Sequence, residues 1–227
     1  MQWVERLDVV GLEALGLAHG WGRRAAYSHA SRLAEAGLVS RVADREGSLV
    51  AITVAGRRRA CPSATDFRGL RRGGLRSSAA HARAVSWVAA RATLHSRPWV
   101  SEREMVRTSG WRFELMWTER RTHRADLGLT SGGSRVAVEV ELTAKAPARL
   151  RAILAGYSHQ IQTGALDRVV YVCDNPLVAR GVARAAARTR LGPDALRQVE
   201  LSEVIADVRI EAGKRPTPMR MGEVGAA

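Results

Sequence analysis

Large apolar residues occupy every second position in the segment 135–143, which reads RVAVEVELT. Valines and a leucine occupy the even positions, and Glu139 and Glu141 occupy odd positions. Successive side chains of a strand point to opposite faces, so the pattern predicts a β-strand with one Val/Leu face and one glutamate face. Two like charges then lie roughly 7 Å apart on one face, and this arrangement needs a chemical reason.

The first 60 residues have the periodicity of a small helical unit. Leucines within 7–20 predict a helix that Gly20 ends, and an alanine-rich apolar stripe predicts a clearer helix in 22–42, with Gly37 as its C′ residue. The segment 38–59 then predicts two strands around a polar turn at Glu46 and Gly47.

The rest of the chain alternates between helical and strand patterns, which is typical of an α/β domain (α+β for the whole chain). The predicted order is a helix in 78–96, a strand in 111–119, two strands in 123–144, a helix in 148–164, a strand in 168–174, a helix in 176–189 and a strand in 196–204. The predicted division is a DNA-binding unit over 1–60, a Gly/Ser/Arg-rich linker over 61–78, an α/β domain over 79–210 and a flexible tail over 211–227.

Charge changes this picture. The chain has 36 basic and 22 acidic residues, a net charge of +14, which favours a polyanionic partner such as DNA or RNA. All but two of the basic residues are arginines, so the coding bias of a GC-rich genome is an alternative explanation. Lys145 is one of the two lysines and follows the glutamate pair; unlike arginine, lysine has a tunable pKa and a compact ammonium group.

Several classes of protein do not fit this sequence. It lacks an apolar run of about 18 residues, which argues against a membrane span, and its first residues lack the pattern of an export signal. Cys61 and Cys173 are far apart and have no metal-ligand spacing, as expected in a reducing cytosol. We therefore expect a cytoplasmic protein without a membrane partner.

The candidate chemistry lies around the two glutamates. Asp126 and Glu139 are equally far from the predicted turn at 131–134, so an antiparallel hairpin places them opposite each other. Three carboxylates would then converge with Lys145 near their edge. Like charges at close range require a positive partner, and Mg²⁺ (or Mn²⁺) bound by Asp126, Glu139 and Glu141 would supply it. Such an ion can activate water for phosphodiester cleavage while the lysine stabilises developing charge.

Two other interpretations of the same residues stay open. The carboxylates would equally fit an exposed sheet face or an ion-paired cluster, because Arg124 and Arg135 lie nearby in the sequence. Lys145 would then be an ordinary surface lysine.

The strand order and the acids resemble the PD-(D/E)XK nuclease superfamily, which has an αβββαβ core. Asp126 matches the first acid of its motif and Glu139 the second. Glu141 stands where the family usually has lysine, and Lys145 would be a displaced lysine. The resemblance implies catalytic roles for these four residues, and it suggests Glu104, Tyr157 and Gln160 as weaker candidates.

The N-terminal pattern of two helices, xxLxxAGLVxR, a hairpin and ITVAGRR resembles the winged-helix DNA-binding domain of small bacterial regulators, although the first helix looks short or missing. The resemblance implies that the helix before AGLV enters the major groove. The residues expected to contact DNA are Arg23, Arg24, Tyr27, Ser28, His29, Arg32, Arg57, Arg58, Arg71, Arg72 and Arg76. A winged helix used only for protein contacts is the alternative.

The succession of HARAV, WVSERE, HRADLGL, VAVEVELTAK, LAGY and RVVYV also resembles the actinobacterial plasmid replication-relaxation (mobilisation-accessory) family over most of the chain. The resemblance implies a role on plasmids or other mobile elements, with double-stranded DNA and replication or mobilisation proteins as partners. Two functions follow as hypotheses: a Mg²⁺-dependent DNA endonuclease, or a non-catalytic DNA-binding accessory protein that retains a degenerate nuclease fold. A double-strand break would need two sites, so a homodimer fits the first hypothesis.

Overall fold

The computed structural model describes residues 2–42, 47–61, 79–108, 110–115 and 122–215. The expected linker, including Arg71, Arg72 and Arg76, falls almost entirely outside these residues, as does the end of the tail. The N-terminal unit contains α1 (Gln2–Leu7), β1 (Val9–Gly11), α2 (Leu12–Ala18), α3 (Arg23–Glu35), β2 (Val39–Val42), β3 (Leu49–Ile52) and α4 (Val54–Ala60).

Two glycines end the helices of this unit as predicted. Gly20 and Gly37 have φ angles of 69° and 68°, the left-handed conformation that lets a chain leave a helix. The N–H of Gly37 donates to the carbonyl of Ala34, and the N–H of Leu38 donates to that of Leu33, so the last carbonyls of α3 are satisfied.

The prediction of one helix over 7–20 was wrong. Asp8 has a φ of 63° and separates α1 from a short extended segment, β1, which pairs antiparallel with β3. The sheet order is β1-β3-β2. The predicted second hairpin strand also stops early, because the Thr53 side chain accepts from the N–H of Gly56 and starts α4.

The remaining chain is mixed α/β, as predicted. Its elements are α5 (Ala79–Leu94), β4 (Trp99–Ser101), α6 (Glu102–Met105), β5 (Arg112–Glu114), β6 (Thr122–Arg124), β7 (Leu127–Ser131), β8 (Ser134–Glu141), α7 (Pro147–Gln162), β9 (Arg168–Cys173), α8 (Pro176–Ala186), β10 (Leu196–Glu200) and α9 (Leu201–Lys214). Five strands form one sheet in the order β10-β9-β8-β7-β4. Strands β4, β7 and β8 are antiparallel neighbours, whereas β8, β9 and β10 run parallel.

The first strand of this sheet is not the one expected at 111–119. The first strand is β4, which pairs with β7 at the edge of the sheet and which the sequence pattern does not predict. Strand β5 instead pairs with β6 in a separate two-stranded ribbon. A second correction concerns the predicted strand over 196–204, which ends at Glu200. Helix α9 follows and buries Leu201, Val204 and Val208 at helical spacing.

Helices cover both faces of the five-stranded sheet. Val138 and Val140 of β8 pack into one core with α5 and α9, and Ala137 packs into another with α7 and α8. The even face predicted for β8 is therefore apolar throughout, but its glutamate face is also buried, beneath α7. No helix in the described part of the chain is long and apolar enough to cross a membrane.

Candidate functional site: a buried acid cluster and an exposed arginine surface

The hairpin of β7 and β8 brings the three predicted acids together. Ser131 pairs with Ser134 and Leu127 with Val138, which confirms the expected register. The next position in this register places Asp126 beside Glu139. We call the resulting group the acid cluster; it comprises Asp126, Glu139 and Glu141 together with their partners His81, His123, Lys145 and Tyr157.

Glu139 is 3% exposed and lies at the centre of the acid cluster. Its Oε1 lies 2.8 Å from Nε2 of His123 and also accepts a hydrogen bond from the Tyr157 hydroxyl. Burial, followed by the Glu139 charge, raises the pKa of Tyr157 well above its ordinary value. The hydroxyl therefore stays protonated and donates the hydrogen bond to Glu139. The Phe113 ring packs 5.0 Å from the Tyr157 ring and excludes solvent from this side.

Asp126 turns toward α5 and toward the backbone of β8. Its Oδ1 lies 3.0 Å from Nε2 of His81, and its Oδ2 accepts a 2.7 Å hydrogen bond from the N–H of Val140. The hydrogen bond to Asp126 raises the pKa of His81, which favours the imidazolium form beside the carboxylate.

Glu141 is 5% exposed and accepts a hydrogen bond from the Lys145 ammonium group four residues later. Burial raises the pKa of Glu141, although the lysine acts in the opposite direction. Burial, and then the Glu141 charge, raises the pKa of the neighbouring Cys173 thiol to about 11, so this cysteine stays protonated and is not a nucleophile at neutral pH.

Tyr171 pairs with Glu139 across β8 and β9 and is 1% exposed. Its hydroxyl has no hydrogen-bond partner among the described residues. Burial and the charges of Glu139, Glu141 and Asp126 raise the pKa of Tyr171 well above its ordinary value. The Tyr171 hydroxyl is thus a proton donor next to the acid cluster that has no acceptor among the described residues.

The sequence predicts that Asp126, Glu139 and Glu141 hold one or two Mg²⁺, whereas in the structure each of these acids contacts a protein donor. Nowhere in the described ranges do three or more His, Cys, Asp and Glu side chains group closely enough to hold a metal ion. Each carboxylate faces a different protein partner: His81 for Asp126, Tyr157 and His123 for Glu139, and Lys145 for Glu141. The protein's own donors and cations compensate the three charges, so we derive no metal-dependent step from this geometry.

Two weaker candidates have other roles. The Glu104 carboxylate caps α6 by accepting from the N–H of Ser101 at 2.8 Å, and it also accepts from Arg6 at 2.9 Å. Gln160 donates to the carbonyl of Arg112 at 3.4 Å. Neither side chain contacts the acid cluster, whereas Tyr157 does.

Arg124 and Arg135 are not the partners that compensate the acids. Arg124 donates to Glu102 at 3.0 Å, and the Arg135 guanidinium lies 5.2 Å from the centre of the Trp111 ring. Sequence reasoning missed His81 and His123, which contact the carboxylates instead. In the sequence, the closeness of His123 to Asp126, three residues later, is a signal that could have pointed to this contact.

The second candidate site is the surface of α3. Arg23, Arg24, Ser28 and Arg32 are exposed, while Ala26 and Ala30 bury the opposite face. Tyr27 and His29 are half-buried between these faces. Arg23 and Arg41 of β2 lie 5.7 and 5.9 Å from the centre of the Tyr27 ring, so β2 extends the basic surface.

Arg57 is a correction to the predicted DNA-contacting set. It is 4% exposed, and its guanidinium donates to Asp8 at 2.6 Å, because α4 packs inward rather than extending the hairpin. Arg58, by contrast, is exposed.

No protein-family model, curated protein or solved structure matches this chain.

Proposed function

We propose that the protein binds double-stranded DNA through α3 and β2. The single observation that carries this proposal is the exposed face of α3, where three arginines stand without a carboxylate partner in the described part of the chain. Helix α3 has 13 residues, a length of about 20 Å, which the major groove can accommodate.

The element order supports a winged-helix interpretation of the N-terminal unit. The unit combines four helices with a small sheet of order β1-β3-β2, and α3, which precedes β2 and β3 in the chain, has an exposed face. In winged helices the helix that precedes the hairpin is the one that reads the major groove. We therefore assign base and phosphate contacts to α3 and backbone contacts to the hairpin.

We further propose that the α/β part is a nuclease-like scaffold and that the protein acts as a DNA-binding accessory factor of a plasmid or mobile element. The pairing of every carboxylate in the acid cluster supports a scaffold over an enzyme. The second candidate function is a deoxyribonuclease that uses Asp126, Glu139, Glu141 and Lys145. The convergence of these four residues near the C-terminal end of β8 favours it.

Binding to duplex DNA across a salt series tests the first proposal. The variant R23Q/R24Q/R32Q removes three charges from α3, and R97Q/R107Q/R168Q removes three exposed charges that lie far apart in the sequence, two in connections and one at the start of β9. The slope of log K against log [salt] should become shallower by about 0.9 for each phosphate that the variant no longer binds. We expect this change in the α3 variant alone, and equal binding by both variants would contradict the assignment.

Incubation with supercoiled plasmid in Mg²⁺, Mn²⁺ or EDTA separates the two candidate functions. We expect the plasmid to be retarded but uncut. Metal-dependent nicking that is abolished in E139Q/E141Q, but kept in a variant of the exposed Glu200, E200Q, would establish the nuclease instead. Glutamine keeps the size of the buried side chains, so the fold is preserved better than with alanine.

A further inference from the structure

Helix α8 carries a second regular set of arginines. Val178 and Val182 bury one face of the helix, and Arg180, Arg184 and Arg188 lie exposed. The spacing of four residues places them on one side, about 6 Å apart along the helix axis. Arg188 lies just beyond the helix, where its N–H still donates to the carbonyl of Ala185. We call these three residues the arginine row.

The arginine row has no counter-charge within the described residues. None of its three side chains takes part in an ion pair or a hydrogen bond there, and α8 has no acid in its first turn. Arginines elsewhere do find carboxylates: Arg91 pairs with Asp207 at 2.6 Å, and Arg124 with Glu102 at 3.0 Å.

Like charges four residues apart on a helix repel each other and destabilise it. The repulsion within the arginine row therefore slightly lowers the stability of the free protein, and a bound polyanion would remove that repulsion. Arg190 adds a fourth exposed positive charge in the turn that follows α8.

We propose that the arginine row is a second DNA-binding surface, which contacts the phosphates of a duplex without reading its sequence. This inference rests on the proposed DNA-binding function and assigns part of it to the α/β domain. Guanidinium groups bind phosphate oxygens through paired hydrogen bonds, and contacts to the DNA backbone carry no sequence information.

The composition of α8 favours a duplex over single-stranded nucleic acid and over a membrane. The helix has no aromatic side chain on which unpaired bases could stack, so it lacks the usual platform for single strands. Its valines are buried against the sheet, and Leu177 is the one large apolar side chain that α8 exposes, so the helix lacks a continuous apolar face to insert into an anionic membrane.

The row also begins near the acid cluster. The N–H of Asp174 donates to the carbonyl of Glu141, and α8 starts two residues later. Arg180 is the fifth residue of the helix, about 6 Å along its axis. A duplex that follows the row would therefore approach the C-terminal end of β8, where Glu141 lies.

The test compares R180Q/R184Q/R188Q with the scattered variant R97Q/R107Q/R168Q, using two unrelated duplexes across a salt series. Each arginine bound to a phosphate contributes about 0.9 to the salt slope, so the slope of the row variant should be shallower by about 2.7 on both duplexes. The scattered variant, with the same net charge, should keep the wild-type slope. Equal slopes for the two variants would overturn the inference.

The α3 variant R23Q/R24Q/R32Q, measured in parallel, separates this inference from the proposed function. If it binds DNA more weakly while the row variant does not, the arginine row is not a DNA surface but the function stands. If the row variant alone binds more weakly, the row stands and the assignment to α3 fails. Binding of the same variants to vesicles containing phosphatidylserine is measured last. Arginine-dependent binding to vesicles, without any effect on DNA, would also overturn the inference.

Discussion

At the scale of single residues, the contact between His81 and Asp126 gives the acid cluster a pH dependence. Their hydrogen bond raises the pKa of His81 above the ordinary value of 6.5. The folded protein then binds this proton more tightly than the unfolded chain does, so the interaction contributes its full stability below about pH 6.5. That contribution disappears as the pH rises through the raised pKa.

We expect His81→Gln to lower the free energy of unfolding at pH 5.5 more than at pH 9, as measured by urea denaturation. Asp126→Asn should remove the same pH-dependent part, and the double variant should remove it only once. A difference between wild type and His81→Gln that stays constant over this range would show that the imidazolium–carboxylate pair does not stabilise the fold.

The three carboxylates could be located from the sequence because strand alternation and turn position are local rules. Glu139 and Glu141 share a face by parity, and the hairpin register places Asp126 beside Glu139. Their histidine partners could not be located in this way. His81 arrives from a distant helix, and His123 lies on β6, which belongs to a different sheet from β7. Strand parity does not carry over from one sheet to the other.

At the scale of elements, α7 depends on a close approach to β5. A Cβ atom added at Gly156 would lie 1.9 Å from Cε2 of Phe113, the ring that packs against His123 and Tyr157. Helix propensity favours alanine over glycine by about 1 kcal/mol, but the overlap here is with an aromatic ring held between other side chains. The steric cost should therefore exceed the gain.

We predict that Gly156→Ala destabilises the protein by about 1–3 kcal/mol, the usual cost of overpacking. Gly181→Ala on α8 is the matched control, because an added Cβ there meets nothing within 4 Å. It should raise the melting temperature, whereas Gly156→Ala should lower it. Equal shifts in thermal denaturation would mean that the ring of Phe113 moves aside freely.

The wrong predictions of secondary structure for segments 7–20 and 196–204 have a common cause. Segments 7–20 and 196–204 each contain a switch between extended and helical structure, and the prediction extended a single pattern across the switch. At Leu201 the spacing of buried residues changes from two to three and four, a signal that is present in the sequence. Strand β4 has only three residues, too few for a period, so tertiary pairing with β7 determines it.

At the scale of the whole molecule, the N-terminal unit and the α/β part share one hydrophobic core. Trp3 and Val10, Trp87 of α5 and Val208 of α9 all belong to the same cluster of buried side chains. The sequence predicted the elements on both sides but not this packing, because alanine- and valine-rich faces do not specify which neighbour they contact. We expect the two parts to unfold together.

Asp8 provides the test of this cooperativity. Its Oδ1 accepts from Arg57 at 2.6 Å within the N-terminal unit and from Arg103 of α6 at 3.0 Å. Asparagine tolerates the left-handed backbone of residue 8, so Asp8→Asn removes the charge without straining the chain. It leaves the buried Arg57 guanidinium without its carboxylate. We expect a cost of about 2–3 kcal/mol, below that of breaking a fully buried pair because Asp8 is partly exposed.

Native-state hydrogen exchange measures where that free energy is reduced. If the chain unfolds as one unit, the protection of the amides of Val50 in β3 and Val138 in β8 should fall by the same factor, about 30 or more for 2 kcal/mol. Asp194→Asn, in an exposed turn, should change neither amide. A fall in protection confined to Val50 would mean that the N-terminal unit opens independently. The α3 surface and the arginine row would then belong to separate bodies, and α8 could not hold a duplex in a fixed position relative to α3.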